Sequence, residues 1–251
     1  MSQVVLTPKG VERVKSGHVW IYRSDVARAA AAGGAIVEVL GPRGRPLGAA
    51  FYSDQSQIAL RLLTRDGQPL EDDWLRSRLT RACAFRQSLA IEGTASRLVH
   101  GEGDLLPSIV VDRYGDYLVV QTLSQATDRL LPEIVQLLQE IVTPRPLGIV
   151  ARNDGRVRAL EGLSTSVDVV AGGVPEKVDV VDGRVRFEVD LFKGQKTGLF
   201  LDQRENREAA SRYAHGRLLD CFSYNGGFAL ALASRCTALT ALEISAEASR
   251  H

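Results

Sequence analysis

Apolar and polar positions fall into two periods along this chain, and the changes between them divide it. Up to about residue 68 the apolar runs are short: Gly17 to Arg23, Ala35 to Leu40, Leu47 to Tyr52 and Ile58 to Leu63. Runs of that length between Gly and Pro clusters read as strands, with Pro42-Arg43-Gly44 as a turn, and Val11 to Val14 reads as a short helix. Trp74, Leu75, Leu79, Ala82, Phe85 and Leu89 then recur at helical spacing, which predicts one amphipathic helix from about Asp72 to Ala90. Strands at Ile109–Val111 and Tyr117–Thr122 flank Gly115-Asp116. A helix over Asp128–Val142 buries Leu131, Ile134, Val135, Leu138 and Ile141, and Gly148 to Ala151 is a further strand. Val178–Val181 and Val185–Val189 alternate around Asp182-Gly183, the pattern of a two-residue hairpin. Asp202 with Glu205 three residues later is a capping-box-like start for a helix running to about Ala214.

The last stretch has a stronger order. A short apolar strand, Leu218 to Phe222, feeds a turn at Ser223–Gly227, a small-residue helix at Phe228–Ser234, and a second strand, Leu239–Leu242, that ends on Glu243. Strand, turn, helix and strand in this sequence open a doubly wound α/β domain, in which a nucleotide-like ligand sits at the carboxyl ends of the strands. A dinucleotide would ask for G-x-G-x-x-G, and only Gly226-Gly227 is present. Asp220 also argues against phosphate: at about 5 Å and an effective dielectric of about 20, each unit of phosphate charge costs about 3 kcal/mol. The same carboxylate favours a cationic ligand with an ammonium and a sulfonium, which describes S-adenosylmethionine. Glu243 is placed to accept hydrogen bonds from ribose hydroxyls.

Composition narrows the setting. The 251 residues are 45% hydrophobic and 24% charged, enough for two or three domains with real cores. No apolar run approaches the ~18 residues of a membrane span, and no signal-like N-terminus is seen. Cys83, Cys221 and Cys236 are scattered and odd in number, which favours a reducing cytoplasm over a disulfide framework. Net charge is +1, but residues 1–65 hold nine Lys/Arg against four Asp/Glu, and residues 66–180 hold 12 against 17. A basic first unit ahead of an acidic middle suggests a polyanion partner at one end. Glu102, Asp104 and Asp112 fit no standard metal loop. They are expected to cap turns and pair with Arg97, Arg113 or Arg152, and no metal site is expected.

Three segments carry a resemblance: Gly194-Gln195-Lys196-Thr197-Gly198, Asp202-Gln203-Arg204-Glu205-Asn206-Arg207 and Asp220-Cys221-Phe222-Ser223-Tyr224-Asn225-Gly226-Gly227-Phe228. They closely resemble the class I S-adenosylmethionine-dependent methyltransferases that make 5-methylcytosine in 23S ribosomal RNA. The run Arg97 to Tyr114 resembles that family's middle-domain signature, with Ser108 standing where glycine is usual. Gly33 to Val39, Gly48 and Ser56-Gln57-Ile58 resemble a PUA domain, a compact RNA-binding pseudo-barrel. The resemblance implies an α+β and α/β multidomain chain. Its parts are a PUA-like β-barrel over residues 1–68, a central α+β domain over 69–177, a β-hairpin over 178–192, and the start of a Rossmann-like methyltransferase domain over 193–251. It implies a cofactor site of Lys196, Thr197, Gly198, Asp202, Arg204, Asp220, Ser223, Asn225, Gly226, Gly227 and Glu243. Arg23, Arg43, Arg45, Arg61 and Arg65 are candidate phosphate contacts. The implied partner is 23S rRNA, with no membrane; a homodimer is also entertained.

Methylating C5 of cytosine calls for a cysteine thiolate adding to C6, then a base that removes the C5 proton. In the family, the cysteine and an Asp-Pro-Pro loop that holds the base lie beyond the second strand, and this chain stops at His251. The expectation is a fragment, inactive alone, with no catalytic residue assigned and Cys221 a small buried side chain. Trp20 and Tyr22 are expected in the core. The alternatives are an RNA-binding module without catalysis and a nucleotide-dependent oxidoreductase; Asp220 and the missing first glycine speak against the latter.

Overall fold

A computed structural model describes residues 2–245 of the chain. They form two compact units, one of residues 2–89, 97–112 and 116–174 and one of residues 90–96, 113–115 and 175–245. No helix among the described residues is long and apolar enough to cross a membrane.

The first unit begins with β1 (Ser2–Leu6), α1 (Pro8–Lys15), β2 (Trp20–Tyr22), β3 (Val26–Ala30), β4 (Ile36–Leu40), β5 (Pro46–Tyr52) and β6 (Ile58–Leu62). These strands make one six-stranded sheet in the order β2-β6-β5-β4-β1-β3, in which β1 and β4 run parallel. Thr7 caps α1 by accepting the Gly10 N–H at 3.1 Å, and Pro8 sits at the first helical position, where its missing donor costs nothing. β2 is an edge strand, and alternation puts Ile21 inside at 0% exposure with Trp20 (40%) and Tyr22 (38%) outside. The core placement expected for both aromatics is therefore corrected. The Trp20 indole donates to Glu102 at 2.8 Å, and the Arg13 guanidinium lies 4.9 Å from the centre of the Tyr22 ring.

Next along the chain come α2 (Trp74–Ser88), β7 (Ala95–His100), β8 (Ile109–Tyr114), β9 (Tyr117–Thr122), α3 (Gln125–Ile141), β10 (Gly148–Asn153) and β11 (Ser166–Gly172), of which Ala95, Ser96, Arg113 and Tyr114 belong to the second unit. The second sheet has the order β11-β10-β9-β8-β7, with β9 and β10 parallel and α3 crossing between them. Ser124 starts α3 through a reciprocal pairing with Thr127, three residues earlier than the apolar period predicts. Phe51 of the first sheet meets Trp74 of α2 edge-on at 5.8 Å, in a core shared with Leu79, Leu118, Ile134 and Leu138. Of the acids in the middle stretch, Asp112 pairs with Arg97 as expected, while Asp104 pairs with Arg86. Ser108 adopts φ +64°, the left-handed conformation that explains why glycine suits this position.

The second unit holds β12 (Lys177–Asp182), β13 (Val185–Asp190), α4 (Arg204–Ser211), β14 (Arg217–Cys221), α5 (Gly227–Leu232) and β15 (Ala238–Leu242). In the hairpin Asp182 pairs with Val185, so the loop is Gly183-Arg184, one residue later than the turn pair read from sequence. Asp182 is instead a buried acceptor for the guanidinium groups of Arg204 and Arg207. The capping box expected at α4 does not form: Gln203 is the cap residue, and the Asp202 carboxylate is held by Lys196 Nζ at 3.0 and 3.2 Å. β14 and β15 pair in parallel from Arg217–Ala238 to Cys221–Leu242, with α5 crossing between them.

Candidate cofactor site

β14 ends at Cys221, and the next five residues form a tight turn. Phe222, Tyr224 and Gly226 have φ of +61°, +51° and +75°. Left-handed backbone costs a non-glycine residue about 1–2 kcal/mol, so Phe222 and Tyr224 need holding. Ser223 donates its N–H to the Leu242 carbonyl at 3.0 Å, and Gly226 donates to Ser223 at 2.8 Å. The Glu243 carboxylate completes the hold, accepting the Tyr224 N–H at one oxygen and the Ser245 N–H at the other, each at 2.8 Å. The Ser245 N–H, then that of Tyr224, keep this carboxyl below the ordinary 4.5. A carboxylate oxygen accepts about two hydrogen bonds, so Glu243 retains acceptor capacity for a ligand hydroxyl.

Beside the turn lies a cavity of about 130 Å³ lined by Glu188, Val189, Asp190, Lys193, Gly194, Gln195, Gly198, Tyr224, Asn225 and Ser245. Its far wall is the loop after β13. The Tyr224 hydroxyl accepts the Gln195 N–H at 3.1 Å, and the Tyr224 ring meets Phe200 edge-on at 5.2 Å. Lys196 Nζ stands 4.3 Å from the centre of the Phe200 ring while paired with Asp202, which lowers the Asp202 pKa below 3.8.

The structure brings some expected residues together. Gly198 and Asn225 line the cavity; Ser223, Gly226, Gly227 and Glu243 build or border the turn. Others are placed differently. Thr197 is 0% exposed, with its hydroxyl 2.9 Å from that of Tyr114, so it faces the interior. Arg204 donates to Asp182 and to the Ala95 carbonyl, a structural role rather than a cofactor contact. Asp220 accepts the Ala229 N–H at 2.9 Å, capping α5, where a carboxylate also meets the helix dipole. Cys221 is exposed rather than buried, because β14 has only β15 beside it among the described strands. A β-carbon at Gly226 or Gly227 would find Leu230 or Arg207 at ordinary contact distance, so packing does not demand the pair; the φ of +75° calls for glycine at Gly226 alone. Glu188, Asp190, Gln195, Tyr224 and Ser245 were not singled out from sequence as site residues. The period-2 rule does put Glu188 and Asp190 on one face of β13.

The basic candidates separate as well. Arg61 is 5% exposed and paired at 2.8 Å with Glu161, itself 0% exposed, so it is corrected from phosphate contact to buried ion pair. Arg23 donates to the carbonyls of Ser53 and Ser56, and Arg65 to that of Gly17. Arg43 and Arg45 are exposed on the turn between β4 and β5.

The donor set fits S-adenosylmethionine in kind: a carboxylate at the end of the second parallel strand for a ribose, and in the cavity wall Asp190, one oxygen of which holds the Phe192 and Lys193 N–H groups, beside Glu188, itself paired with Lys177. A ligand of this size fills about 300 Å³ or more, so the cavity of about 130 Å³ takes in part of one. No group of three or more His, Cys, Asp or Glu among the described residues could hold a metal ion.

A strained turn between two parallel strands, clasped by the acid that ends the second, is the arrangement of a nucleoside-cofactor enzyme. The model of the S-adenosylmethionine-dependent methyltransferase family matches residues 96–248, and the chain belongs to that family, whose cofactor is S-adenosylmethionine. A PUA-like domain model matches residues 4–65. Among curated proteins, the chain is similar to ribosomal RNA large subunit methyltransferase I of Tolumonas auensis, 35% identical over 91% of this chain and 59% of that protein. It is 36% identical to the enzyme of the same name from Klebsiella pneumoniae, over 92% of this chain and 59% of that protein. The chain thus spans about three-fifths of the length of these relatives. Among solved structures, one from Streptococcus mutans described as a SAM-dependent methyltransferase has TM-score 0.83 at 22% identity, covering 100% of this chain and 65% of that one. A methyltransferase complexed with SAH has TM-score 0.84 at 21% identity, over 100% and 64% of the two chains. At that identity the two structures share the fold.

Proposed function

We propose that this protein serves S-adenosylmethionine-dependent methylation of ribosomal RNA, at C5 of a cytosine in 23S rRNA, in the cytoplasm. The observation that carries the reading is the Glu243 clasp, which holds the Tyr224–Gly226 turn and keeps acceptor capacity for a ribose at the end of β15. The names of the relatives at 35–36% identity support the RNA substrate. When bound, the cofactor supplies a methyl group activated on a sulfonium. Of this chain's own residues, Glu243 would hold the ribose, and Asn225, Asp190 and Glu188 would border the cationic end. Gln195 and Gly198 would wall the cleft. C5 chemistry further requires a cysteine and a base-holding loop. The 251 residues contain no Asp-Pro-Pro segment, and of the three cysteines Cys83 is buried and Cys221 exposed. We therefore expect these residues alone to bind cofactor without transferring its methyl group.

The test is calorimetric titration of the protein with S-adenosylmethionine, S-adenosylhomocysteine and NAD, alongside an assay for 5-methylcytosine in rRNA. Binding of the first two, with no binding of NAD and no transfer, is the expected result. Tight NAD binding would overturn the cofactor reading. Methylation abolished by Cys221→Ser would make that exposed thiol the nucleophile.

A further inference from the structure

Tyr114, the last residue of β8, is the bulkiest fully buried side chain among the described residues. Its hydroxyl accepts the Leu199 N–H at 3.0 Å and lies 2.9 Å from the Thr197 hydroxyl. Gly198, between those two residues, has φ +144°, and a β-carbon there would fall 2.6 Å from Val189 and 3.2 Å from the Tyr114 ring. The segment Thr197-Gly198-Leu199 is thus bent round one buried hydroxyl, in a conformation that only glycine adopts readily. Gly198 also lines the cavity. At the other end of the same loop, Gln195 donates to the hydroxyl of Tyr224, whose own N–H is bound by Glu243. One wall of the cleft is therefore pinned at two phenolic oxygens, one buried and one at the cavity.

We infer that Tyr114 is a positioning residue for the cofactor: its hydroxyl sets the shape of Gln195–Leu199, and so the affinity of the cleft, without touching the ligand. The inference rests on the cleft being the cofactor site. A loop that holds its binding shape only a fraction of the time weakens apparent affinity by that fraction, whatever contacts it makes when in place. Without the hydroxyl, the Leu199 N–H loses its buried acceptor and the loop has reason to leave.

Tyr114→Phe keeps the ring and removes only the oxygen. Two readouts apply: calorimetric Kd for S-adenosylmethionine and S-adenosylhomocysteine, and amide hydrogen exchange in the unliganded protein. The expected result is a rise of about tenfold in both Kd values, as for a loop in its binding shape about one-tenth of the time. Lost protection should be confined to residues 194–199, with β9 and β10 unchanged. Thr197→Val, which removes the partner hydroxyl but leaves Leu199 its acceptor, should show a smaller shift in the same direction. It serves as the test if Tyr114→Phe does not fold. Unchanged Kd in the variants, with wild-type binding intact, overturns the inference and leaves Tyr114 a packing residue. Wild-type protein that binds neither ligand overturns the cofactor reading itself, and this inference with it.

Discussion

Both oxygens of Glu243 accept backbone N–H groups, from Ser245 and Tyr224, and that geometry dictates how the site responds to acid. Its pKa is lowered from 4.5, so its hold on the turn is fully present above that value and is lost as pH falls through the lower folded one. Cofactor affinity should therefore be insensitive to Glu243 down to about pH 5 and fall only in stronger acid. Glu243→Ala should weaken S-adenosylmethionine and S-adenosylhomocysteine alike, by about ten- to a hundredfold, the range for hydrogen bonds to a charged group. Titrating both ligands across pH checks this; loss of affinity already near neutrality, or a variant that binds normally, would remove Glu243 from the ribose. Glu243 was legible in the sequence as the acid that ends the second strand, but not its clasp on the turn, because Tyr224 and Ser245 contribute only backbone N–H groups. Arg61 and Thr197 were not legible, because their partners lie 100 and 83 residues away, and a guanidinium or hydroxyl reads the same until that partner is known. Asp220 was legible as an acid near the turn, but nothing local says that it caps α5.

At the scale of elements, apolar period located the helices and most strands, missed β1, β3, β7 and β11 outright, and misjudged what lies at the margins of the rest. Strand alternation says that Ile21 and its neighbours face opposite ways. Which face of β2 is covered depends on its being at the sheet edge, a property of topology that the segment does not contain. The hairpin loop slid by one residue because Asp182, which looks like a turn residue, is bound by two arginines of α4. Ser108 shows the reverse, a local oddity in sequence that has a local cause. Its φ of +64° costs an L-residue about 1–2 kcal/mol, and glycine gives back about 0.5–1 kcal/mol of that in chain entropy. Ser108→Gly should thus stabilise the protein by about 0.5–1 kcal/mol, read as a higher urea midpoint at unchanged slope. A lower midpoint would mean that the largely buried Ser108 side chain contributes more than its backbone costs.

For the whole molecule, the uneven charge is the property that bears most directly on RNA. Residues 1–65 carry nine Lys/Arg against four acids, yet the candidate contacts there are not equivalent. Arg61 is locked to Glu161, Arg23 serves two carbonyls, and Arg65 serves a third. Reversing Arg61 would bury two carboxylates together and unfold the barrel region before it reported on RNA. Arg43 and Arg45 are the informative pair: exposed, separated by Gly44 at φ +75°, and on the β4–β5 turn. Neutralising a phosphate releases counterions, and each contact adds about 0.7 to the slope of log affinity against log salt for single-stranded nucleic acid. If both arginines meet phosphate, Arg43→Glu with Arg45→Glu should lower affinity for an rRNA fragment and flatten that slope by about 1.4. The same substitutions should leave S-adenosylhomocysteine binding untouched, since both residues belong to the first unit and the cleft to the second. Filter binding of the intact chain at several salt concentrations decides it. A slope that does not change would clear Arg43 and Arg45 of phosphate contact, and wild-type affinity indifferent to salt would remove the basic N-terminal sheet as the RNA-binding surface.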